Sequence, residues 1–277
     1  MEQESSPQRR RTVRRAAAIR LILAVAFLPW AQHPLTAQTT ANDVPNEART
    51  SSDAWRISVS PYLWMAGMNG VVGFGGRGVQ VDQSFSDIFH NLKFGVMGLS
   101  EVRRNRTGII TDLIYIRLGD ETATPIEGLQ NTIDVKTSLN TFTLTPYLSY
   151  RIVGGDRGSI DMLSGARYYH IGASISGEEG SGRVSFSTTD NWADFVEGGR
   201  FKLNLTPSIG AFFLGDVGGG GSALTWQVVG GIGYKWSKRW STELGYRRLY
   251  FDRRGDHGLH IEQTQQGLIV GATVRLR

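Results

Sequence analysis

The sequence predicts an all-β protein that forms a single antiparallel up-and-down transmembrane β-barrel of about ten strands. Long segments alternate apolar residues with polar or small ones, as strands do when one face meets lipid and the other faces a lumen. Short and long connections alternate along the chain, and the N-terminus has the composition of an export signal. A chain of 277 residues is also an ordinary length for one barrel domain.

Residues 1–37 are interpreted as a cleaved signal peptide. Basic residues over 9–15 precede a mostly apolar stretch over 16–31, and Ala37 ends a candidate cleavage site. The alternative is a membrane-anchoring helix. Arg20, however, interrupts an apolar run that is already shorter than the roughly 20 residues a span requires. Export is therefore the expectation.

Most of the charge of the chain belongs to that leader. Six Arg stand against two Glu over 1–37, so the formal net charge of +5 falls to about +1 for the remainder. The basic composition is therefore no argument for a nucleic-acid partner. The chain has no cysteine, which excludes a disulfide scaffold, a zinc–cysteine site and a cysteine nucleophile. No cofactor is predicted.

The barrel is predicted to begin at Trp55, after a flexible lead-in over 38–54. In the first strand, Pro61 lacks an amide donor and would leave one gap in the hydrogen-bond ladder. A glycine-rich connection follows over 67–91 and contains a candidate hairpin over 71–81. Strand counts of eight or twelve stay open, because this hairpin could extend the wall or a short strand could merge with its neighbour.

A short helical turn is expected within that connection, over Ser84–Asn91. Phe85, Ile88 and Phe89 recur there at helical spacing. The expected role of the segment is to pack over the barrel mouth, and the alternative is a ligand lid.

Six further strands are predicted in the middle of the chain, at 93–103, 107–118, 132–151, 159–174, 192–205 and 208–214. The connections after even-numbered strands are short. Those after odd-numbered strands, including 176–190 and 215–223, are long. Bacterial outer-membrane barrels have even strand numbers, short periplasmic turns and long extracellular loops. The pattern therefore predicts one barrel over 55–277 with both termini in the periplasm. An exported soluble β-sandwich has no reason to sort its loops in this way.

The last three predicted strands show the alternation most clearly. They cover 225–236, 240–250 and 267–277. From Leu268 to Leu276 every second residue is apolar, and the residues between them are mostly small or polar. Aromatic residues near strand ends would contribute to the interfacial girdles, and these are Trp55, Trp226, Tyr234, Trp236, Trp240 and Tyr250.

Several segments resemble a family of uncharacterised bacterial outer-membrane β-barrel proteins. They are SPYLWMAGMNG, SFSDIFHNLKFGVMG, TPYLSY, GARYYHI, DFVEGGRF, GDVGGGGSALTWQ, GYRRLYFD and GLIVGATVRLR. The resemblance covers nearly all of 55–277 and implies an outer-membrane location, with no established catalytic residues to carry over. Such barrels usually end on an aromatic residue that the barrel assembly machinery reads, whereas this chain ends with Leu276 and Arg277.

A Gly-x-Arg unit occurs in three predicted strands and places Arg167, Arg200 and Arg247 on the lumen face. Glycine two positions before each arginine is expected to leave room for the guanidinium. The same face carries Asp161, Asp194 and Glu243. Two hypotheses follow: an ionic network that fills the lumen, or a narrow pore whose selectivity the arginines set. Ten strands lie near the size at which side chains alone fill the interior, which favours the network.

Glu197 is an exception to the pattern, because it shares the outward parity of Phe195, Phe201 and Leu203. A carboxylate among lipid-facing residues must lie near an interface, be protonated, or belong to a strand whose register differs from the predicted one.

No enzyme is predicted, and an outer-membrane hydrolase or acyl-transfer enzyme that uses extracellular-loop residues is the alternative. Its candidates are His257 and His260 in the last outer loop, which are also weak candidates for a metal. The expected partners are outer-membrane lipid, the barrel assembly machinery and small solutes or ions.

Overall fold

A computed structural model describes residues 54–74, 77–125, 132–179, 182–255 and 258–276. The predicted signal peptide and almost all of the lead-in lie outside these ranges. The strands are β1 Arg56–Phe74, β2 Arg77–Gln83, β3 Leu92–Arg104, β4 Thr107–Pro125, β5 Thr132–Gly155, β6 Gly158–Glu179, β7 Gly182–Asn204, β8 Ile209–Gly220, β9 Ser222–Lys235, β10 Trp240–Arg254 and β11 Leu259–Arg275. The helix α1 covers Phe85–His90.

The strands form one closed antiparallel barrel. Consecutive strands from β3 to β11 pair with each other, and β1 pairs with β3. β11 pairs with β1 along almost its whole length, from Ser58↔Arg275 to Phe74↔Leu259. The wall therefore consists of β1 and β3–β11, which confirms the predicted ten-stranded barrel. The hairpin predicted over 71–81 also forms, but β2 pairs only with the second half of β1 and adds no strand to the ring.

The pairing of β1 with β3 is short. It runs from Arg56↔Arg103 to Pro61↔Gly98 and ends at the proline, which has no amide to donate. Beyond that point the amide of Trp64 donates to the sulfur of Met97 at 3.4 Å, where a ladder bond would otherwise lie. The gap predicted at Pro61 is thus the place where β1 and β3 separate.

The two ends of the barrel differ, as the alternation of connections predicts. The turn end holds the short connections at 105–106, 156–157, 205–208 and 236–239. At the opposite hairpin end the strands continue far past their predicted limits. The expected loop over 176–190 is mostly strand, since β6 reaches Glu179 and β7 starts at Gly182. The expected loop over 215–223 is likewise wrong, because β8 reaches Gly220 and β9 starts at Ser222.

The helical turn expected over 84–91 is present as α1. Ser84 caps it in a capping box, accepting from the Asp87 amide while its own amide donates to the Asp87 carboxylate at 2.9 Å. The side-chain hydrogen bond from Ser84 is the main reason that the pKa of Asp87 lies below its ordinary value. None of its residues is fully buried, and Phe85 and Ile88 are half-buried, so its role as a cover over the mouth stays a prediction. Among the described residues, no helix is long and apolar enough to cross a bilayer.

The two faces of the wall have opposite character. Trp55, Tyr234, Trp236 and Trp240 are exposed near the turn end, as predicted. Near the hairpin end, Trp226 stacks on Tyr250 with ring centroids 5.9 Å apart. Between these aromatic residues the outer face is a belt of exposed apolar side chains, which includes Leu63, Val96, Ile109, Leu148, Met162, Phe195, Phe213, Val217, Val228, Ile232, Leu244, Leu268 and Val270.

The glycines of the Gly-x-Arg units have a different role from the expected one. A Cβ added at Gly198 would collide with the backbone of Gly215 and Asp216, and one at Gly165 would collide with the backbone of Pro146. The obstacle is the neighbouring strand and not a guanidinium. These glycines therefore allow adjacent strands to approach closely where the wall curves.

Gly198→Ala is expected to destabilise the folded barrel by about 1–3 kcal/mol, because the new methyl group has to push β8 away from β7. The measurement is the urea midpoint in detergent micelles, followed by the heat-sensitive mobility of the folded protein on a gel. Gly199→Ala is the matched control, since a Cβ there meets its nearest neighbour atoms at 3.7 Å. Equal losses in the two variants would contradict this explanation.

Candidate functional site

The interior of the barrel near the turn end is crossed by an ionic network. Arg200 on β7 contacts both Glu101 on β3, with Nη2–Oε1 at 2.8 Å, and Asp161 on β6, with Nη2–Oδ2 at 2.7 Å. Arg103 bonds Glu101 at 2.9 Å and Arg151 bonds Asp161 at 2.8 Å. Each carboxylate thus meets at least two guanidinium groups, which offsets the cost of removing these charges from water.

A second cluster lies in the middle of the lumen around Arg167 and Asp216. Their side chains are fully buried, with Nη2–Oδ2 at 2.7 Å. Asp216 also accepts hydrogen bonds from the Tyr147 hydroxyl and from Gln227 Nε2 at 2.7 Å, and Arg167 Nη1 donates to Thr225 at 3.2 Å. Because these residues come from β5, β6, β8 and β9, the cluster ties together one side of the wall and fills the space within it.

The third arginine forms a separate cluster with residues of β1 and β4. Arg247 Nη1 lies 2.8 Å from Asp112 Oδ2, and the Tyr62 hydroxyl donates to the other carboxylate oxygen at 2.6 Å. The guanidinium also lies over the Trp64 ring, 4.8 Å from its centroid, in a cation–π contact. Arg247 is 2% exposed, so this contact occurs away from solvent.

A group of aromatic side chains lies in the lumen on the hairpin side of these clusters. Tyr169 stacks on Trp192 with centroids 4.7 Å apart, and Phe251 packs against both rings. Ile261 completes this group. Below the clusters, at the turn end, a cavity of about 310 Å³ remains. Tyr147, Gln227 and Arg247 are among its lining residues, so the cavity borders the mid-lumen clusters.

The predicted lumen residues all lie on the inner face, but the structure does not bring them into one group. Arg200 pairs with Asp161, whereas Arg167 and Arg247 pair with other acids. Asp194 accepts the Ser222 amide. Glu243 is half-buried at the turn end and accepts the Ser241 hydroxyl at 2.8 Å.

Asp216 is the main site residue that the sequence reasoning missed. It stands within the glycine-rich GDVGGGG segment, which has the composition of a loop. Leu214 lies two positions before Asp216, and its side chain points into the lumen. Residues two apart on a strand share a face, so this parity could have identified Asp216.

Of the two histidine candidates, the structure describes His260. His257 lies outside the described residues. His260 projects from β11 beyond the apolar belt, where its Nε2 is 3.0 Å from Asp252 Oδ1 on β10. In the described part of the chain, no group of three or more His, Cys, Asp or Glu side chains could hold a metal ion.

Arg167→Leu is expected to destabilise the protein by about 3–5 kcal/mol, because it leaves the Asp216 carboxylate buried without its cation. Arg254→Leu is the matched control. Arg254 is largely exposed and lies 3.5 Å from Asp252, so its loss should cost less than about 1 kcal/mol. The urea midpoint followed by tryptophan fluorescence measures both effects.

The double variant Arg167→Leu/Asp216→Leu should recover much of the loss, because it removes both charges together. A single variant as stable as the control would contradict the assignment of this pair as a buried contact.

Comparison with known proteins identifies the fold. No family model and no curated protein sequence matches the chain. Among solved structures, it is similar to the outer membrane protease OmpT from Escherichia coli, with 10% identity, a TM-score of 0.52 and coverage of 82% of this chain and 100% of that one. It also matches the attachment invasion locus protein Ail of Yersinia pestis, with 15% identity, a TM-score of 0.37 and coverage of 80% and 97%. The similarity to OmpT establishes that this chain has the fold of an outer-membrane barrel.

Proposed function

We propose that this protein spans the bacterial outer membrane as a barrel whose lumen is closed, and that it acts as a structural element and not as an open pore. The proposal rests on the Arg167–Asp216 cluster, which lies fully buried across the middle of the lumen. Solute passage would require this cluster and the aromatic group above it to separate. The turn end then faces the periplasm and the hairpin end the exterior.

The outer face supports the membrane location. From Trp240 to Tyr250 on β10, at about 3.3 Å per residue and a tilt of about 40°, the wall rises about 25 Å. That is the height of the apolar band in outer-membrane barrels. The neighbouring aromatic residues mark its two edges, so membrane lipid is the proposed partner of this belt. The barrel assembly machinery is the proposed partner for insertion.

Conductance tests the closed lumen. Residues 38–277, refolded and inserted in a planar bilayer, are expected to give no steady current steps, because buried ion pairs block the path. Arg167→Ala/Asp216→Ala/Trp192→Ala, which removes the buried ion pair and one ring of the aromatic group, should admit ions and serves as the open control. Salt-dependent steps from the unaltered protein would instead support the narrow-pore hypothesis. Recovery of the protein in the soluble periplasmic fraction would overturn the membrane location itself.

An outer-membrane hydrolase is the second candidate, favoured by the contact between Asp252 and His260. A carboxylate can orient a histidine as a general base, and the structurally similar OmpT is a protease. On this alternative the protein would cleave casein or phospholipid vesicles.

His260→Ala should then lower the rate by about 10²–10⁴-fold. His170→Ala is the control, since that imidazole bonds the amide oxygen of Asn191 and no carboxylate. Equal activity of the two variants, or no activity in the unaltered protein, would exclude this role of His260.

A further inference from the structure

Glu197 lies on the outer face of the barrel, as its parity predicts. It is exposed on β7 between Phe195 and Phe201, whose side chains point the same way and are 59% and 48% exposed. It therefore interrupts the apolar belt with an acidic group. The register of β7 with β6 and β8 is continuous through this position, so a shifted strand does not account for it.

Its depth in the belt excludes an interfacial position. On the hairpin side, Asn191 accepts hydrogen bonds from the Tyr168 hydroxyl at 3.1 Å and from His170 at 2.6 Å, which marks a polar edge. On the turn side, the exposed side chains of Leu203 and Leu205 mark the other limit. Glu197 lies about midway between these edges, at the depth where an ionisable group facing lipid is least favourable.

Glu197 also differs from the acids inside the barrel. At comparable depth, Asp112 and Asp216 each bind an arginine. No hydrogen bond or ion pair joins Glu197 to any other described residue. A carboxylate at this depth without an internal partner implies a polar group supplied from outside the chain.

The surface around Glu197 is open and partly polar. Ser164 stands directly opposite on β6, close enough for the two side chains to lie next to each other. Gly199 and Gly215 form the adjacent cross-strand pair, and a Cβ at Gly199 would meet no atom closer than 3.7 Å. The result is a shallow notch with an acceptor and a hydroxyl donor at its base, where another backbone can approach closely.

We propose that this notch is the centre of a homodimer interface within the membrane. Outer-membrane barrels all insert in one orientation, so a twofold axis between two copies must run along the membrane normal. Such an axis places each residue opposite groups of similar depth. Glu197 of one copy then accepts a hydrogen bond from Ser164 of the second copy, and the reverse contact forms on the other side of the axis. One patch thus supplies both donor and acceptor. This inference rests on the proposed location in the outer membrane.

Cysteine cross-linking in isolated outer membranes tests the interface. The chain has no cysteine, so Ala166→Cys, on the outer face of β6 next to Ser164, introduces a single thiol. Under oxidation this variant is expected to form a disulfide-linked dimer. Leu268→Cys is the matched control, because β11 lies on the opposite side of the ten-stranded ring and its thiol should remain monomeric. Adding Glu197→Leu to Ala166→Cys should reduce the cross-linked fraction about tenfold.

The outcomes separate this inference from the membrane location. A dimer with Ala166→Cys alone, lost with Glu197→Leu, supports the interface. Equal cross-linking of Ala166→Cys and Leu268→Cys, or a monomer throughout, overturns it while the protein remains in the outer-membrane fraction. The heat-sensitive gel mobility of every variant shows that it is folded, and Glu197→Leu should retain that mobility since it removes a charge from the lipid face.

Discussion

The narrow lumen favours pairing of its buried charges, and all three arginines of the Gly-x-Arg units bind an acid inside the ring. A ten-stranded barrel is about wide enough to be filled by its own side chains, so there is little water to solvate an ion. Arg167, Arg200 and Arg247 consequently each bind an acid at hydrogen-bond distance. The contact between Arg200 and Glu101 also crosses the lumen from β7 to β3. The pairs Arg167–Asp216, Arg200–Glu101 and Arg247–Asp112 therefore connect strands that share no ladder.

Alternation along the chain was sufficient to predict the barrel and to place the arginines inside it. It could not predict which acid each arginine binds, because partners across a lumen depend on how the ring closes. Arg167 pairs with Asp216 and not with Asp161 or Asp194, although both of these lie nearer to it along the chain. Asp194 instead accepts a backbone amide. Parity fixes the face of a side chain, whereas strand tilt and register fix its neighbour.

The extended hairpins were predicted poorly for a related reason. The sequence over 176–190 shows no lipid-facing alternation, and its polar and glycine-rich composition predicted a loop. The backbone groups still need partners, and the ladder between β6 and β7 continues to Glu179↔Gly182. The glycines over 215–223 likewise hide the alternation of inward and outward residues, because glycine has no side chain. A composition typical of loops therefore does not predict where a strand ends, because the pairing register of the central part continues into these segments.

The short seam between β1 and β3 makes the ring mechanically uneven. Their ladder ends at Pro61, whereas β1 and β11 remain paired along almost the whole of β1. Strands that share fewer backbone hydrogen bonds exchange their amide protons sooner and separate at lower force. The barrel thus has a built-in line of weakness on one side, located where its first and second wall strands meet. Under tension the wall would part there first, and the strands connected through Arg200 would remain together as the most persistent part of the fold.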